Sequence, residues 1–280
     1  MAFDRTMARR VVQQALEEDG YRQDVTTQGL VPVGKQASAA FVARTPLVVS
    51  GVEVPQLTFD LLEGAVQVRT LVEDGAQAQA GEPLVQVEGD AAAILTGERT
   101  ALNLMQRMSA VASVTRQFVD AVVGTGATIL DTRKTMPGLR VLDKYAVACG
   151  GGQNHRMGLH DMMLIKDNHI ALCGGVGAAI AQVGQHNADK LPVVVECDTL
   201  AQLAEVLEVG ADRALLDNMS RDALCEAVAM VKGTLPLEAS GNVTLETVRI
   251  IAETGVDYIS IGALTHSAPA VDIGLDITIS

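Results

Sequence analysis

Three short segments concentrate the side chains able to do chemistry: DTRKTMPGLR (131–140), GGGQNHR (150–156) and LIKDNH (164–169). Over residues 131–166 stand Arg133, Lys134, Arg140, Lys144, Arg156 and Lys166, against only Asp131, Asp143 and Asp161. The chain as a whole carries a formal net charge of −13. A local reversal of sign inside an acidic protein calls for a small polyanion. Arg offers a planar fork matched to carboxylate or phosphate, and Lys supplies a compact point charge. A focused positive pocket within a negative envelope selects ligands small enough to enter it.

Composition narrows the field further. With 280 residues and 48% hydrophobic content the chain can bury a full core, as one large α/β domain or two smaller ones. Acidic balance, 2% aromatic content and the absence of Trp argue against a nucleic-acid partner, which needs a basic face and stacking rings. No window approaches about 18 uncharged apolar residues, and the first ten residues lack a secretory apolar run, so no membrane association and a cytoplasmic location are expected. Cys149, Cys173, Cys197 and Cys225 form no C-x-x-C pair, which suggests neither a zinc cluster nor a disulfide framework. His155 and His160 lack the carboxylate pattern that zinc ligation would need.

The elements that must position these residues repeat in a cycle from residue 128 onward. Short apolar strands are predicted at 128–131, 162–165, 192–195, 214–216, 236–239 and 258–261. Between them lie amphipathic helices such as 200–209 and 221–231, and Gly210, Gly233 and Gly255 read as helix C-caps. The repeat implies a parallel sheet, closed or nearly closed into a barrel, with a doubly wound open sheet as the structural alternative. Each strand ends in polar residues: Asp131, Arg133 and Lys134; Lys166 and Asn168; Glu196 and Asp198; Asp217 and Asn218; Ser240, Gly241 and Asn242; Gly262. In a βα barrel those ends converge on one rim, so six strand ends nominate one site.

The amino-terminal third reads as a separate α+β layer, with a helix at 11–19 and alternating stretches at 37–51 and 66–87. Residues 74–88 resemble a biotinyl or lipoyl carrier hammerhead, but no lysine between Lys35 and Lys134 could be modified. A long helix opens at Gly97, with Leu104, Met108, Val111 and Phe118 on its apolar face, and is expected to link the two parts.

The runs DTRKTMPGLR, GGGQNHRMGLHD, LIKDNH, VVVECD, LLDN, EASGNVTLETV and ISIGALTHS, with EDGYRQDVTT near Asp24 and GERTALNLMQRMS, resemble the quinolinate phosphoribosyltransferase family over nearly the whole chain. The resemblance implies an α/β fold: an amino-terminal α/β sandwich (1–108), an incomplete α/β barrel (109–265) and a carboxyl-terminal segment (266–280) returning to the first domain. It implies a homodimer with sites between subunits, and pentosyl transfer from phosphoribosyl pyrophosphate to quinolinate. The products would be nicotinate mononucleotide, carbon dioxide and pyrophosphate, with Mg2+, as a step of de novo NAD biosynthesis.

Under that resemblance Arg99, reaching across from the neighbouring subunit, joins Arg133, Arg156, Lys166 and His155 around the dicarboxylate. Lys134 and Lys166 contact the phosphoribosyl donor beside Thr132. Glu196 and Asp217 meet ribose hydroxyls or a metal-bound water, without a direct metal ligand from the protein. Ser240, Gly241 and Asn242, with Ile261, Gly262 and Ala263, form a backbone cradle for phosphate. Lys134, Lys166, Glu196 and Asp217 are the expected catalytic set.

Plainer duties are assigned beside these. Arg140 and Lys144 read as helix-surface charges or dimer contacts, Asn154 and Asp131 as loop-holding Asx residues, Met105, Met108 and Met162 as core filling, and Asp24 to Thr27 as a turn or cap. The rivals are the related molybdate-transport-associated proteins, nicotinate phosphoribosyltransferase, and a non-catalytic barrel binding a phosphoribosyl ligand. Lys166 within LIKDNH favours the quinolinate enzyme.

Overall fold

The computed structural model describes residues 2–278. Contacts divide the chain into two compact units, one of Met1–Arg116, Thr135–Gly151 and Leu264–Ser280, the other of Gln117–Lys134 and Gly152–Ala263. Residues 135–151, which sequence reading assigns to the barrel stretch 109–265, cluster with the first unit.

In the first unit, helix α1 (Arg5–Asp19) starts earlier than the 11–19 expected, because the Asp4 side chain accepts from Met7 N at 3.0 Å and caps it. Gly20, at φ 70°, ends it in the left-handed region. After α2 (Val25–Leu30) come β1 (Gln36–Ala43), β2 (Leu47–Val48), α3 (Val54–Phe59), β3 (Val66–Thr70), β4 (Gln77–Ala78), β5 (Pro83–Asp90) and α4 (Ala91–Ala121). Asp24 caps α2 through Thr27 N at 2.9 Å, the duty expected for that segment. Leu104, Met108 and Val111 of α4 are buried as its apolar stripe requires.

Further along the chain follow β6 (Thr128–Leu130), α5 (Arg140–Cys149), β7 (Met163–Ile165), α6 (Asp167–Cys173), α7 (Val176–His186), β8 (Val193–Cys197), α8 (Leu200–Val209), β9 (Arg213–Asp217), α9 (Arg221–Val231), β10 (Leu237–Ser240), α10 (Leu245–Ala252), β11 (Tyr258–Ser260), α11 (Ala263–His266) and β12 (Ile273–Thr278). The antiparallel sheet of the first unit has the order β12-β1-β5-β3, so the last strand pairs with the first. Helix α5 corrects one sequence reading: Lys144 is fully buried rather than on a surface, and Arg140 is half-buried, its Nε donating to Thr135 at 3.0 Å. Beside Lys144, the buried Asp143 carboxylate takes both Arg107 nitrogens at 2.9 and 3.0 Å, and Met136 N at 3.1 Å.

The second unit is built on a parallel sheet in the order β6-β11-β10-β9-β8-β7. From β7 the strands run in one direction through β11 and then meet β6. That is a cyclic order without the reversal a doubly wound sheet would contain, and β6 and β7 are left as the two ends of an incomplete barrel wall. Its strands are near-continuous apolar runs, such as Val193-Val-Val, because helices cover parallel sheets. Thr199 and Ser220 cap α8 and α9 through Gln202 N and Ala223 N. Gly210 closes α8 as expected, whereas α9 ends on Lys232, itself at φ 49°, with Gly233 one residue later.

Candidate active site

The site lies within the second unit, at the carboxyl ends of its strands. After β6 the chain turns through Asp131, which is wholly buried. Its carboxylate accepts from Asn154 Nδ2 at 2.7 Å and His155 N at 2.8 Å, the loop-holding duty expected of this pair. One buried carboxylate thus ties the DTRK and NHR segments together, bringing Arg133 and Arg156 to one wall. The next loop is held by Asp161, which accepts from Met157 N at 2.5 Å and Gly158 N at 3.0 Å. Burial pushes the Asp161 carboxyl up, but these backbone donors outweigh it and hold it below the ordinary range.

Lys166 follows β7, and its Nζ stands 3.2 Å from Oε2 of Glu196 on β8. Asp217 ends β9, its Oδ2 accepting from Asn218 Nδ2 at 2.7 Å, while Asn218 Oδ1 accepts from Asn242 Nδ2 at 3.0 Å. Both asparagines adopt positive φ, near 50°. Gly241 between them sits at φ 99°, and a Cβ there would meet Asn218 Oδ1 at 2.2 Å, so only glycine fits.

These strand ends enclose a cavity of about 460 Å³. Thr132, Arg133, Lys134, His155, Arg156, Lys166, Glu196, Asp217, Ser240, Gly241 and Asn242 all line it. Four of the ligand-contacting residues that the resemblance implied do not. Arg99 lies on α4 in the first unit, lining a hollow with Glu18 and Asp19. Ile261, Gly262 and Ala263 follow β11, with Ile261 buried and its N–H bonded to Leu130 O at 2.9 Å. Asn218, read from sequence at its strand end, also lines the cavity, as do Leu164, Leu215, Glu238 and Ser260, which were not nominated. Of these Glu238 alone had a legible signal, a carboxylate inside a predicted buried strand, which must be paired.

Electrostatically, Arg133, Lys134, Arg156 and Lys166 face Glu196, Asp217 and Glu238 across this space. Arg156 is only 8% exposed, and its pKa is lowered by burial and by neighbouring Arg133, with Asp161 opposing. A guanidinium buried beside another cation, with Asp161 only partly opposing, is suited to an anionic ligand that supplies a carboxylate. Among the described residues no group of three or more His, Cys, Asp and Glu could cage a metal. Glu196 and Asp217 each keep a second oxygen, which suits a hard cation held mainly by ligand phosphate and water.

The comparisons with known proteins agree with this geometry. Residues 24–109 match the family model for the quinolinate phosphoribosyl transferase N-terminal domain, and residues 111–276 match that for its C-terminal domain. The chain is 48% identical over 276 residues to the nicotinate-nucleotide pyrophosphorylase (carboxylating) of Mycobacterium leprae (strain TN), covering 96% of this chain and 97% of the relative. It is 44% identical over 286 residues to the mitochondrial quinolinate phosphoribosyltransferase (decarboxylating) 2a of Nicotiana tabacum, covering 95% and 81%. Among solved structures, the nicotinate-nucleotide pyrophosphorylase from Francisella tularensis superposes with a TM-score of 0.94 at 35% identity, over 99% of this chain and 98% of that one. With both domain models of one family matched in order along the chain, the second over the stretch that carries the parallel sheet, the chain belongs to the quinolinate phosphoribosyl transferase family.

Proposed function

We propose that this cavity joins quinolinate to phosphoribosyl pyrophosphate and releases carbon dioxide and pyrophosphate, leaving nicotinate mononucleotide. The observation that carries the reading is one 460 Å³ space that unites Arg133, Arg156 and Lys166 with Glu196, Asp217 and the Gly241 turn. Arg133 and Arg156 take the two ring carboxylates by charge-assisted hydrogen bonds, with His155 beside them. Lys134 and Lys166 face the pyrophosphate and the ring. Asp217, aligned by Asn218, and Glu196, aligned by Lys166, accept ribose hydroxyls. Ser240, Gly241 and Asn242 cradle the 5-phosphate, since glycine at φ 99° lets backbone N–H groups approach.

Bond changes follow from that placement. The C1–O bond to pyrophosphate breaks with its electron pair on oxygen, and the pyridine nitrogen closes on the oxocarbenium-like carbon. The ring nitrogen, now cationic, draws the electron pair of the adjacent C–CO2 bond as carbon dioxide leaves, and a proton from solvent completes that ring carbon. Positioning and electrostatic stabilisation carry the rate, so no side-chain nucleophile is required. Mg2+ would be held near Glu196 and Asp217 through phosphate and water, and when bound it offsets charge on pyrophosphate. We assign Arg99 to the site of a second subunit in a homodimer, as the family resemblance implies; in this chain it lines a separate hollow with Glu18 and Asp19.

A competition between quinolinate, nicotinate and nicotinamide, followed by pyrophosphate release, tests the reading. Two clustered arginines predict a strong preference for the dicarboxylate. Equal turnover of nicotinate would refute it.

A further inference from the structure

Of the three carboxylates lining the cavity, only Glu238 is fully buried. It sits on β10 between Leu215 of β9 and Tyr258 of β11. Arg213 donates from Nη1 to its Oε2 at 2.9 Å, and the same guanidinium lies over the Tyr258 ring, 4.1 Å from the centroid. From the other side, His155 Nε2 stands 3.4 Å from that oxygen, in a contact 7% and 0% exposed. His155 Nδ1 accepts from Arg156 N at 2.8 Å. An imidazole nitrogen that accepts a hydrogen bond carries no proton, so the proton of the neutral ring belongs on Nε2, the nitrogen facing Glu238.

A buried carboxylate under a cavity that collects anions is costly unless something specific holds it ionised. Burial pushes the Glu238 carboxyl up, yet the contacts of His155, Ser260 and Arg213 together outweigh that and hold it below the usual range. Neither Glu238 nor Arg213 has a part in the reaction as derived above. We propose that Glu238 is a positioning residue: anchored by Arg213, its carboxylate faces the protonated Nε2 of His155 at 3.4 Å and so fixes the tautomer and tilt of the imidazole beside the pyridine ring. Through the Nδ1 contact it also fixes the backbone of Arg156, whose guanidinium meets the ligand carboxylate. The kinetic side of the proposal rests on the quinolinate reading; the spectroscopic side does not.

Glu238→Gln tests it. Because Arg213 and His155 share Oε2, the amide oxygen that Arg213 holds there still faces the ring nitrogen but carries no charge, so the preference for a proton on Nε2 weakens. In the ligand-free protein, the His155 ring 15N shifts should move from Nε2-protonated toward Nδ1-protonated, assigned by their loss in His155→Ala. The KM for quinolinate should rise roughly threefold to tenfold, the cost of one weakened buried contact, with the KM for phosphoribosyl pyrophosphate nearly constant. In Glu238→Gln combined with His155→Ala, activity should fall no further than in His155→Ala alone, because both changes act on one ring. If Glu238→Gln does not fold, Arg213→Lys loosens the same anchor and should shift the His155 signals in the same direction. Unmoved His155 signals, or fully additive losses in the double variant, would overturn the proposal. A wild-type protein that ignores quinolinate while Glu238→Gln still moves the His155 signals would refute the functional reading and leave the positioning role standing.

Discussion

Replacing Arg156 by methionine should separate ligand binding from folding. Arg156 is 8% exposed, its Nη1 donates to Met162 O at a long 3.4 Å, and burial with nearby Arg133 lowers its pKa. Arg107 differs, with both nitrogens on the buried Asp143 carboxylate. The Arg156 charge therefore costs the free protein desolvation that Asp161 offsets only in part, and an apolar side chain of similar length should be near neutral or stabilising there. Binding should suffer instead. Losing a charge-assisted contact costs about 1.5–3 kcal/mol, or roughly tenfold to 150-fold in Kd. At quinolinate one hundred times the wild-type Kd, wild type gains about 2.7 kcal/mol, which at ~2–4 °C per kcal/mol raises Tm by roughly 5–10 °C. A hundredfold weaker variant gains about 0.4 kcal/mol, a shift near ~1 °C. Thermal melts with and without quinolinate read both effects. A variant that melts many degrees lower without ligand, yet keeps the full ligand shift, would refute the reasoning.

Lys134 is exposed at the cavity edge, so Lys134→Ala should lower kcat by roughly a hundredfold or more with no change in circular dichroism or Tm; full turnover would remove it from the reaction. Asn218 combines a φ of 52° with the hydrogen bond that orients Asp217. Asn218→Gly and Asn218→Ala should therefore both raise the KM for phosphoribosyl pyrophosphate severalfold, while only the alanine variant loses about 1–2 kcal/mol of stability, read by urea unfolding. Asp161→Asn should cost about 1 kcal/mol at neutral pH. Because the Asp161 carboxyl titrates lower in the folded chain than in the unfolded one, its contribution is complete above the ordinary aspartate range and disappears as pH falls through the folded value. Urea midpoints of the two proteins should converge in acid, and a gap unchanged by pH would show that the charge plays no part.

The strand ends were legible because polar residues after short apolar runs, repeated at 20 to 30 residues, place side chains on one rim whatever the loops do; Lys166, Glu196, Asp217 and Asn242 all follow that rule. The cyclic strand order needed coordinates, since a repeat alone allows either a barrel wall or an open doubly wound sheet. Lys144 shows where periodicity fails. Its helix carries charges at Arg140, Asp143 and Lys144, and nothing local says that Arg107, 36 residues before Asp143, draws that face inward. Glu238 was half legible: a carboxylate inside the predicted strand of LEAS must be paired, but its partners His155 and Arg213 lie on other segments that nothing local names. Lys232 rather than Gly233 takes the left-handed cap of α9, at a cost of about 1–2 kcal/mol that local residue preference would have placed on the glycine.

Quinolinate labelled in the carboxyl group beside the nitrogen offers the most direct measurement. With phosphoribosyl pyrophosphate and Mg2+ present, labelled carbon dioxide should appear in one-to-one ratio with pyrophosphate, and neither should form when the sugar donor is omitted. Binding of both compounds with no labelled gas, or pyrophosphate released without it, would contradict a cavity built to join the twin-acid ring to ribose and expel its carboxylate.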